Sequence, residues 1–157
     1  MKLSKINAII ALSATVVCGS TAAANRGTEA EAQQMVAKAV ALIKTAGSAE
    51  AYKSFTHHPE GAFKDRDLYV FVYDLDGNCL AQGANPKMVG KNLIGIKDVE
   101  GNEFIKGMVD MVKAHKKGWY GPYKFNNVET KTIEPKKSYC EQGEGSSMVC
   151  VGVHLQS

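Results

Sequence analysis

The sequence predicts an α+β fold with a long amphipathic N-terminal helix, five strands and a helix inserted between the strands. Three observations indicate this fold. An Ala-rich stretch with helical periodicity runs from Thr28 to Gly47. β-branched and aromatic runs, separated by turn residues, follow from Leu68 to the end of the chain. A further helical pattern, over residues 103–118, is inserted between those runs.

The predicted helices carry recognisable end signals. Thr28 and Glu31 have the spacing of a capping box, and Gly47 stands where a helix commonly ends. Ser48 is expected to cap a short second helix, and Asn102 is expected to cap the inserted helix. The apolar stripe of the first helix consists of Met35, Val36, Ala39, Val40, Leu42 and Ile43.

The predicted strands follow from residue type and turn chemistry. The first, Leu68 to Tyr73, is bulky on both faces, which is typical of a strand covered on both sides. Asp76-Gly77-Asn78 supplies a positive-φ hairpin turn. The same turn resembles the start of a calcium loop, but no bidentate glutamate follows to close such a site. The third strand runs from Trp119 to Phe125, and the last two pass through Tyr139 and Val151.

The beginning of the chain has the features of an export signal. Two early lysines precede an apolar run over residues 6–17, and Ala22-Ala23-Ala24 provides the small residues that a signal peptidase recognises. We therefore expect a signal peptide over residues 1–24, cleaved after Ala24, and one domain over residues 25–157. Cys18 allows a lipoprotein alternative, although a bulky valine precedes it where a small residue is normal.

Charge and motif content exclude several classes of function. The chain has 19 basic and 16 acidic residues, and loss of the two leader lysines leaves it nearly neutral, so no nucleic-acid footprint is expected. The adjacent pair His57-His58 lies far in sequence from His115 and His154, without Cys/His spacing typical of a metal site. No phosphate-binding loop, nucleophile elbow or nucleophile–base arrangement is present. We expect neither an enzyme nor a bound metal or cofactor.

The last hairpin gives a geometric argument for a site. Cys140 and Cys150 flank the loop EQGEGSSMV and form the natural disulfide pair, with Cys79 left as a buried apolar residue, an intermolecular disulfide or a redox-sensitive thiol. Facing cysteines would place Lys136 opposite His154. One face of the hairpin is then apolar and packs under the long helix, with Val149, Val151, Val153 and Tyr139.

The other face of this hairpin is small in the middle and basic at its edge. Lys136, Ser138, Gly152 and His154 share it, an arrangement suited to a shallow pocket for a small anion. Two interpretations of Lys136 stand side by side. It lies on a solvated sheet edge, or it anchors a bound carboxylate that compensates a buried ammonium.

The stretch LYVFVYDLDGNCLAQGANPKMVGKNLIGIKDVEGNEFIKGMV, residues 68–109, and the later runs GWYGPY and PKKSYC resemble the single Cache domain of the sCache_2 type, an extracytoplasmic, PAS-like sensor domain. The resemblance covers Leu68 to His154. It implies that the long N-terminal helix packs on a five-stranded antiparallel, PAS-like sheet, with a pocket between the sheet and the helix–loop segment. The Gly90-Lys91-Asn92 loop, and a turn that Asp98 fixes through backbone amides, would cover this pocket. Lys136, Ser138 and Tyr139 match the family's closing PKxSY pattern and are the expected ligand-binding residues.

Three further aromatic residues complete the expected site. Trp119 and Tyr123 are taken to share a face of the third strand, and Tyr73 ends the first strand near the centre of the sheet. Each is either a buried core residue or a wall of the pocket.

The resemblance implies an exported binding module, periplasmic or secreted, for a small organic ligand such as a short carboxylate. Its partner would be a membrane sensor kinase, chemoreceptor or transporter, and the N-terminal helix would allow a homodimer. The alternative is a protein-interaction module that has kept the fold without a ligand, with its pocket filled by Phe104 or Met108.

Overall fold

The computed structural model of the protein describes residues 26–156. The predicted signal peptide, its cleavage after Ala24 and the alternative involving Cys18 lie outside this range. The elements in chain order are α1 (Glu29–Ala46), α2 (Ser48–His57), β1 (Lys64–Asp65), β2 (Leu68–Asp74), β3 (Cys79–Gln82), a 3-10 turn (Pro86–Met88), α3 (Phe104–His115), β4 (Lys117–Asn126), β5 (Ile133–Gln142) and β6 (Ser147–His154).

The sheet is antiparallel and open. Its strands are ordered β1-β2-β6-β5-β4, and β3 also pairs with β2. Strand β1 pairs with residues 68 and 69 of β2, whereas β3 pairs with residues 71–73. The predicted α+β fold is confirmed, with the two-residue strand β1 added to the five expected strands.

The first helix begins and ends as its sequence predicts. Thr28 and Glu31 form a reciprocal capping box, in which the backbone N–H of Thr28 donates to Glu31 Oε2 at 2.8 Å. Gly47 follows the helix with a φ of 81°, and its N–H donates to the carbonyl of Ile43. This positive φ favours glycine and turns the chain directly into α2.

Two cap predictions are wrong. Ser48 is already the first residue of α2, because Gly47 takes the N-cap position and accepts from the N–H of Ala51. The Ser48 hydroxyl instead donates to Glu144. At α3 the cap position is Glu103, without a side-chain cap, while the amide of Asn102 is used by a neighbouring turn. Both side chains therefore form hydrogen bonds with other residues, Glu144 and Asp98, and do not cap the helices.

Strand β2 separates two apolar cores, as its bulky faces predict. Val70 and Val72 pack with α1 and α2, whereas Phe71 and Tyr73 pack with α3. Strand β6 is buried along its whole length. Each core thus covers one face of the central strands, and the α3 side contains the polar residues described below.

The predicted register of the last hairpin is confirmed. Cys140 stands opposite Cys150, and Lys136 stands opposite His154. The disulfide Cys140–Cys150 is formed. Cys79 is a buried thiol whose pKa is raised to about 11 by burial, so the interpretation as a small apolar core residue is favoured over a reactive thiol.

Candidate functional site

A small cavity lies between the α3 side of the sheet and the helix–loop segment. Its volume is about 20 Å³, enough for one water-sized group. Strand residues form its floor, and residues from the 3-10 turn, the following loop and α3 form its roof. It is lined by Tyr69, Phe71, Tyr73, Gln82, Met88, Ile96, Phe104, Ile105, Met108, Tyr123, Phe125 and Lys136.

Lys136 is fully buried at this cavity. Its ammonium donates one hydrogen bond, to the hydroxyl of Tyr69 at 3.0 Å. The nitrogen lies 4.3 Å from the ring centroid of Tyr69 and 5.3 Å from that of Phe125, so cation–π contacts replace part of its hydration. Burial lowers the pKa of Lys136 below its ordinary value. The interpretation as a solvated edge residue is therefore wrong.

Gly152 gives the Lys136 side chain its path across the sheet. A Cβ at position 152 would stand 2.1 Å from Lys136 Cε and 2.8 Å from Ser138 Oγ. The absence of a side chain on β6 therefore lets the stem of Lys136 lie flat over the strand. The ammonium reaches Tyr69 on β2 rather than solvent at the edge.

Tyr123 and Ser138 form a polar pair beside the ammonium. Their hydroxyl oxygens are 2.7 Å apart, and both side chains are buried. Burial raises the pKa of Tyr123 to about 12. The ring of Phe104, from α3, stacks on Tyr123 with centroids 4.8 Å apart. Tyr73, Tyr123, Lys136 and Ser138 thus lie on one side of the sheet, and all but Ser138 line the cavity.

Trp119 and Tyr139 lie on the opposite side of the sheet. Their rings pack together with centroids 5.5 Å apart, against the α1 core. The expectation that Trp119 and Tyr123 share a face is wrong because the register of β4 slips between Tyr120 and Tyr123. An extra residue in a strand reverses the alternation of side chains beyond it. Neither Trp119 nor Tyr139 lines the cavity.

Comparison with known proteins identifies the family to which this fold belongs. The family model described as single Cache domain 2 matches residues 3–153, nearly the whole chain. The chain belongs to the single Cache domain family. The match begins inside the predicted leader, so the domain boundary at residue 25 stays a prediction. No curated protein matches the chain.

Three solved structures have the same fold. A methyl-accepting chemotaxis protein from Vibrio parahaemolyticus RIMD 2210633 has a TM-score of 0.67 at 20% identity, over 80% of this chain and 87% of that one. A Cache chemosensory domain studied for carboxylic acid recognition has a TM-score of 0.63 at 21% identity, over 81% and 88%. A periplasmic sensor domain of a chemotaxis protein gives 0.59 at 21% identity, over 81% and 90%. Identities this low establish the fold alone.

The loop over the Cache cavity is fixed as predicted. Both carboxylate oxygens of Asp98 accept hydrogen bonds, including those from the backbone N–H groups of Glu100, Asn102 and Lys124. Asp98 is therefore a structural residue of the turn. The residues that reach the cavity from this segment are Met88 and Ile96, while the expected Gly90-Lys91-Asn92 loop contributes none of its lining.

Two buried polar residues, Asp67 and His154, lie near Lys136 but do not line the cavity. Asp67 accepts from the N–H of Gly27 at 2.6 Å, but its second oxygen has no partner among the described residues. Both ring nitrogens of His154 are likewise unpartnered there. Burial, followed by the nearby Lys136, lowers the pKa of His154 to about 3, so this imidazole is neutral at physiological pH.

Sequence reasoning missed Tyr69, Gln82 and Phe125. Tyr69 could have been found, because it shares the alternation of Tyr73 on β2 and therefore the same face. Phe125 also follows from the parity of Tyr123. Gln82 carried no signal, since a polar residue at the end of a short strand is ordinarily solvated.

Within residues 26–156, no three or more His, Cys, Asp or Glu side chains are grouped to hold a metal ion. In the same range, no helix is both long enough and apolar enough to cross a membrane.

Proposed function

We propose that this Cache domain is an extracytoplasmic binding module that senses a small organic acid, with Lys136 anchoring the carboxylate. One observation carries the proposal. A fully buried ammonium has one hydrogen bond, to a neutral hydroxyl, at the floor of a small cavity. A perturbed titratable group in such a place marks a functional site.

The energetics favour an anionic ligand. Burying an ammonium costs several kcal/mol, and one hydrogen bond to a neutral hydroxyl offsets only part of that cost. An ammonium has three donors, so Lys136 has donors left for a carboxylate. Charge-assisted hydrogen bonds are about twice as strong as neutral ones. The hydroxyls of Tyr69 and Tyr123 lie beside the ammonium and would complete the recognition of the acid.

The physiological setting follows from the predicted leader and the family. Export would place the domain in the periplasm or outside the cell. There it would act through a membrane partner such as a chemoreceptor, sensor kinase or transporter. The carboxylic acid recognition described for a Cache chemosensory domain supports the ligand class. A homodimer through α1 stays a prediction.

One observation favours the alternative of a protein-interaction module. Phe104 stacks on Tyr123, and the space left in the cavity is only about 20 Å³. Met88 and Met108 also line this space, and methionine side chains repack readily. The acid-sensing proposal therefore requires the roof to rearrange around the ligand, whereas an interaction module would leave it closed.

Thermal unfolding of the protein from residue 25 onward separates the two functions. A carboxylate present at a hundredfold its Kd should add about 2.7 kcal/mol to the free energy of unfolding, a shift of several degrees. Lys136→Met should remove this shift, while Lys38→Met, at an exposed position on α1, should keep it. The protein must first be shown to carry no co-purified ligand. If two- to four-carbon carboxylates then leave its melting temperature unchanged, the interaction module becomes the better conclusion.

A further inference from the structure

A second and larger chamber adjoins the Lys136 cavity. Its volume is about 350 Å³, and it shares lining residues with the inner cavity. The shared residues are Tyr69, Gln82, Met88 and Phe125. Because the two spaces have these walls in common, a ligand that displaced Met88 from the roof would extend from the ammonium into the outer chamber.

Gln82 stands at the junction of the two spaces. Gln82 is only 4% exposed, and its side-chain carbonyl oxygen accepts a hydrogen bond from the N–H of Ala84 at 3.2 Å. Its NH₂ group donates, among the described residues, only to the sulfur of Met88, 3.9 Å away. A thioether is a weak acceptor. The buried amide donors of Gln82 therefore lack a strong partner at this junction.

The remaining polar lining of the outer chamber lies at its exposed rim. Asn85 and Asn126 contribute amides there, the ammonium of Lys131 also donates to the carbonyl of Val128, and no Asp or Glu is among the lining residues. The chamber has donors and positive charge but no acid to repel an anion. Like the inner cavity, where Lys136 and Tyr69 lie at the floor, the outer chamber presents hydrogen-bond donors and no carboxylate.

We propose that the ligand is a dicarboxylic acid that spans both spaces. One carboxylate meets Lys136 and Tyr69, and the second accepts from the Gln82 amide with Lys131 nearby. This inference rests on the proposed function, in which Lys136 anchors a carboxylate, and adds the class of acid. A monocarboxylate would leave the Gln82 donors without an acceptor.

Isothermal titration calorimetry with acids of matched length tests the inference. Succinate is compared with butyrate, and glutarate with pentanoate, using the protein from residue 25 onward as for the proposed function. A charge-assisted hydrogen bond from Gln82 should make the better dicarboxylate about ten- to a hundredfold tighter than its monocarboxylate match. Gln82→Met keeps the length of the side chain without its donors, and should reduce that advantage to less than about threefold.

The outcomes of this experiment are distinct. If monocarboxylates bind as tightly as dicarboxylates and Lys136→Met abolishes both, the two-ended ligand is overturned and the proposed function stands. If neither series binds, the proposed function itself fails. Circular dichroism checks that Gln82→Met is folded. Should it not fold, the matched acids with the unsubstituted protein decide alone.

Discussion

Replacement of Lys136 gives a quantitative test of its role in the ligand-free protein. Desolvation of the ammonium costs several kcal/mol. Against this stand one hydrogen bond from a charged donor, about 1.5–3 kcal/mol, and two cation–π contacts, about 1 kcal/mol each. These terms nearly cancel, so Lys136→Met, which keeps the stem volume, should leave stability unchanged or raise it by about 1–2 kcal/mol.

Lys136→Ala is the matched comparison because it removes the same charge and also the stem. Truncation from a methionine-sized side chain to alanine in a core costs about 2–5 kcal/mol. We therefore expect Lys136→Met to be at least as stable as the natural protein, and Lys136→Ala to be less stable than Lys136→Met by that amount. Urea unfolding at pH 7 measures both differences, with an unchanged m-value showing that two-state comparison is valid.

The pH dependence provides a second check on the same residue. Burial lowers the pKa of folded Lys136, so between that pKa and 10.5 the unfolded chain binds more protons than the folded one. The stability contributed by this group therefore rises with pH across that window. The advantage of Lys136→Met should shrink from pH 7 to pH 9.5. If Lys136→Met were destabilised by more than about 2 kcal/mol at pH 7, the ammonium would be a net stabilising group and the reasoning would be refuted.

Three further predictions concern the surrounding structure. Gly152→Ala should displace the buried ammonium and lower the free energy of unfolding by about 1–3 kcal/mol, as measured by urea unfolding. The same variant should lose the stabilisation by carboxylates in thermal unfolding. Loss of the disulfide in the Cys140→Ala/Cys150→Ala double variant should cost about 2–3 kcal/mol by chain entropy, measured by the same unfolding method. His154, with a folded pKa of about 3, should stay neutral in the folded protein, while the same residue in the unfolded chain is protonated below pH 6.5. The free energy of unfolding should therefore fall by about 2 kcal/mol from pH 8 to pH 5. His154→Leu should remove this loss.

Each of these predictions has a control. Gly95→Ala meets no atom within 4 Å and should be neutral, so equal effects at both glycines would contradict the steric argument. Cys79→Ala leaves the disulfide intact, so a reducing agent should lower the free energy of unfolding of this variant as much as it does for the natural protein. His115→Leu, at an exposed position, should keep the pH slope. The contribution of Asp67 to the pH dependence is opposite to that of His154. Burial raises the pKa of Asp67, so its contribution to the free energy of unfolding increases as the pH falls.

The sequence was sufficient where a local pattern and a long-range constraint agreed. Facing Cys140 and Cys150 set the register of the last hairpin, and the alternation of apolar residues then assigned both of its faces correctly. The capping box at Thr28 was equally clear because both of its partners are local. Such features are specified by neighbouring residues and need no knowledge of the rest of the fold.

The failures have a common physical origin in competition between partners and in irregular strands. Ser48 and Asn102 are good caps by residue type, yet each side chain forms its hydrogen bond elsewhere. Trp119 was assigned to the wrong side because parity carries no information about a bulge later in the strand. Gln82 joins the cavity only because Met88 and the neighbouring loop fold over the end of its strand, which no local pattern records.

The buried charges of this Cache domain are costly for an inert module. Lys136 lies among aromatic and aliphatic side chains that would accept a methionine in its place, and Gly152 leaves β6 bare where the lysine stem crosses. Asp67 and His154 add unpartnered polar atoms nearby. Proteins generally break the rules of core composition where function requires it. A filled pocket with no ligand would need neither the ammonium nor the glycine, so their joint presence is the strongest argument that the cavity binds an acid.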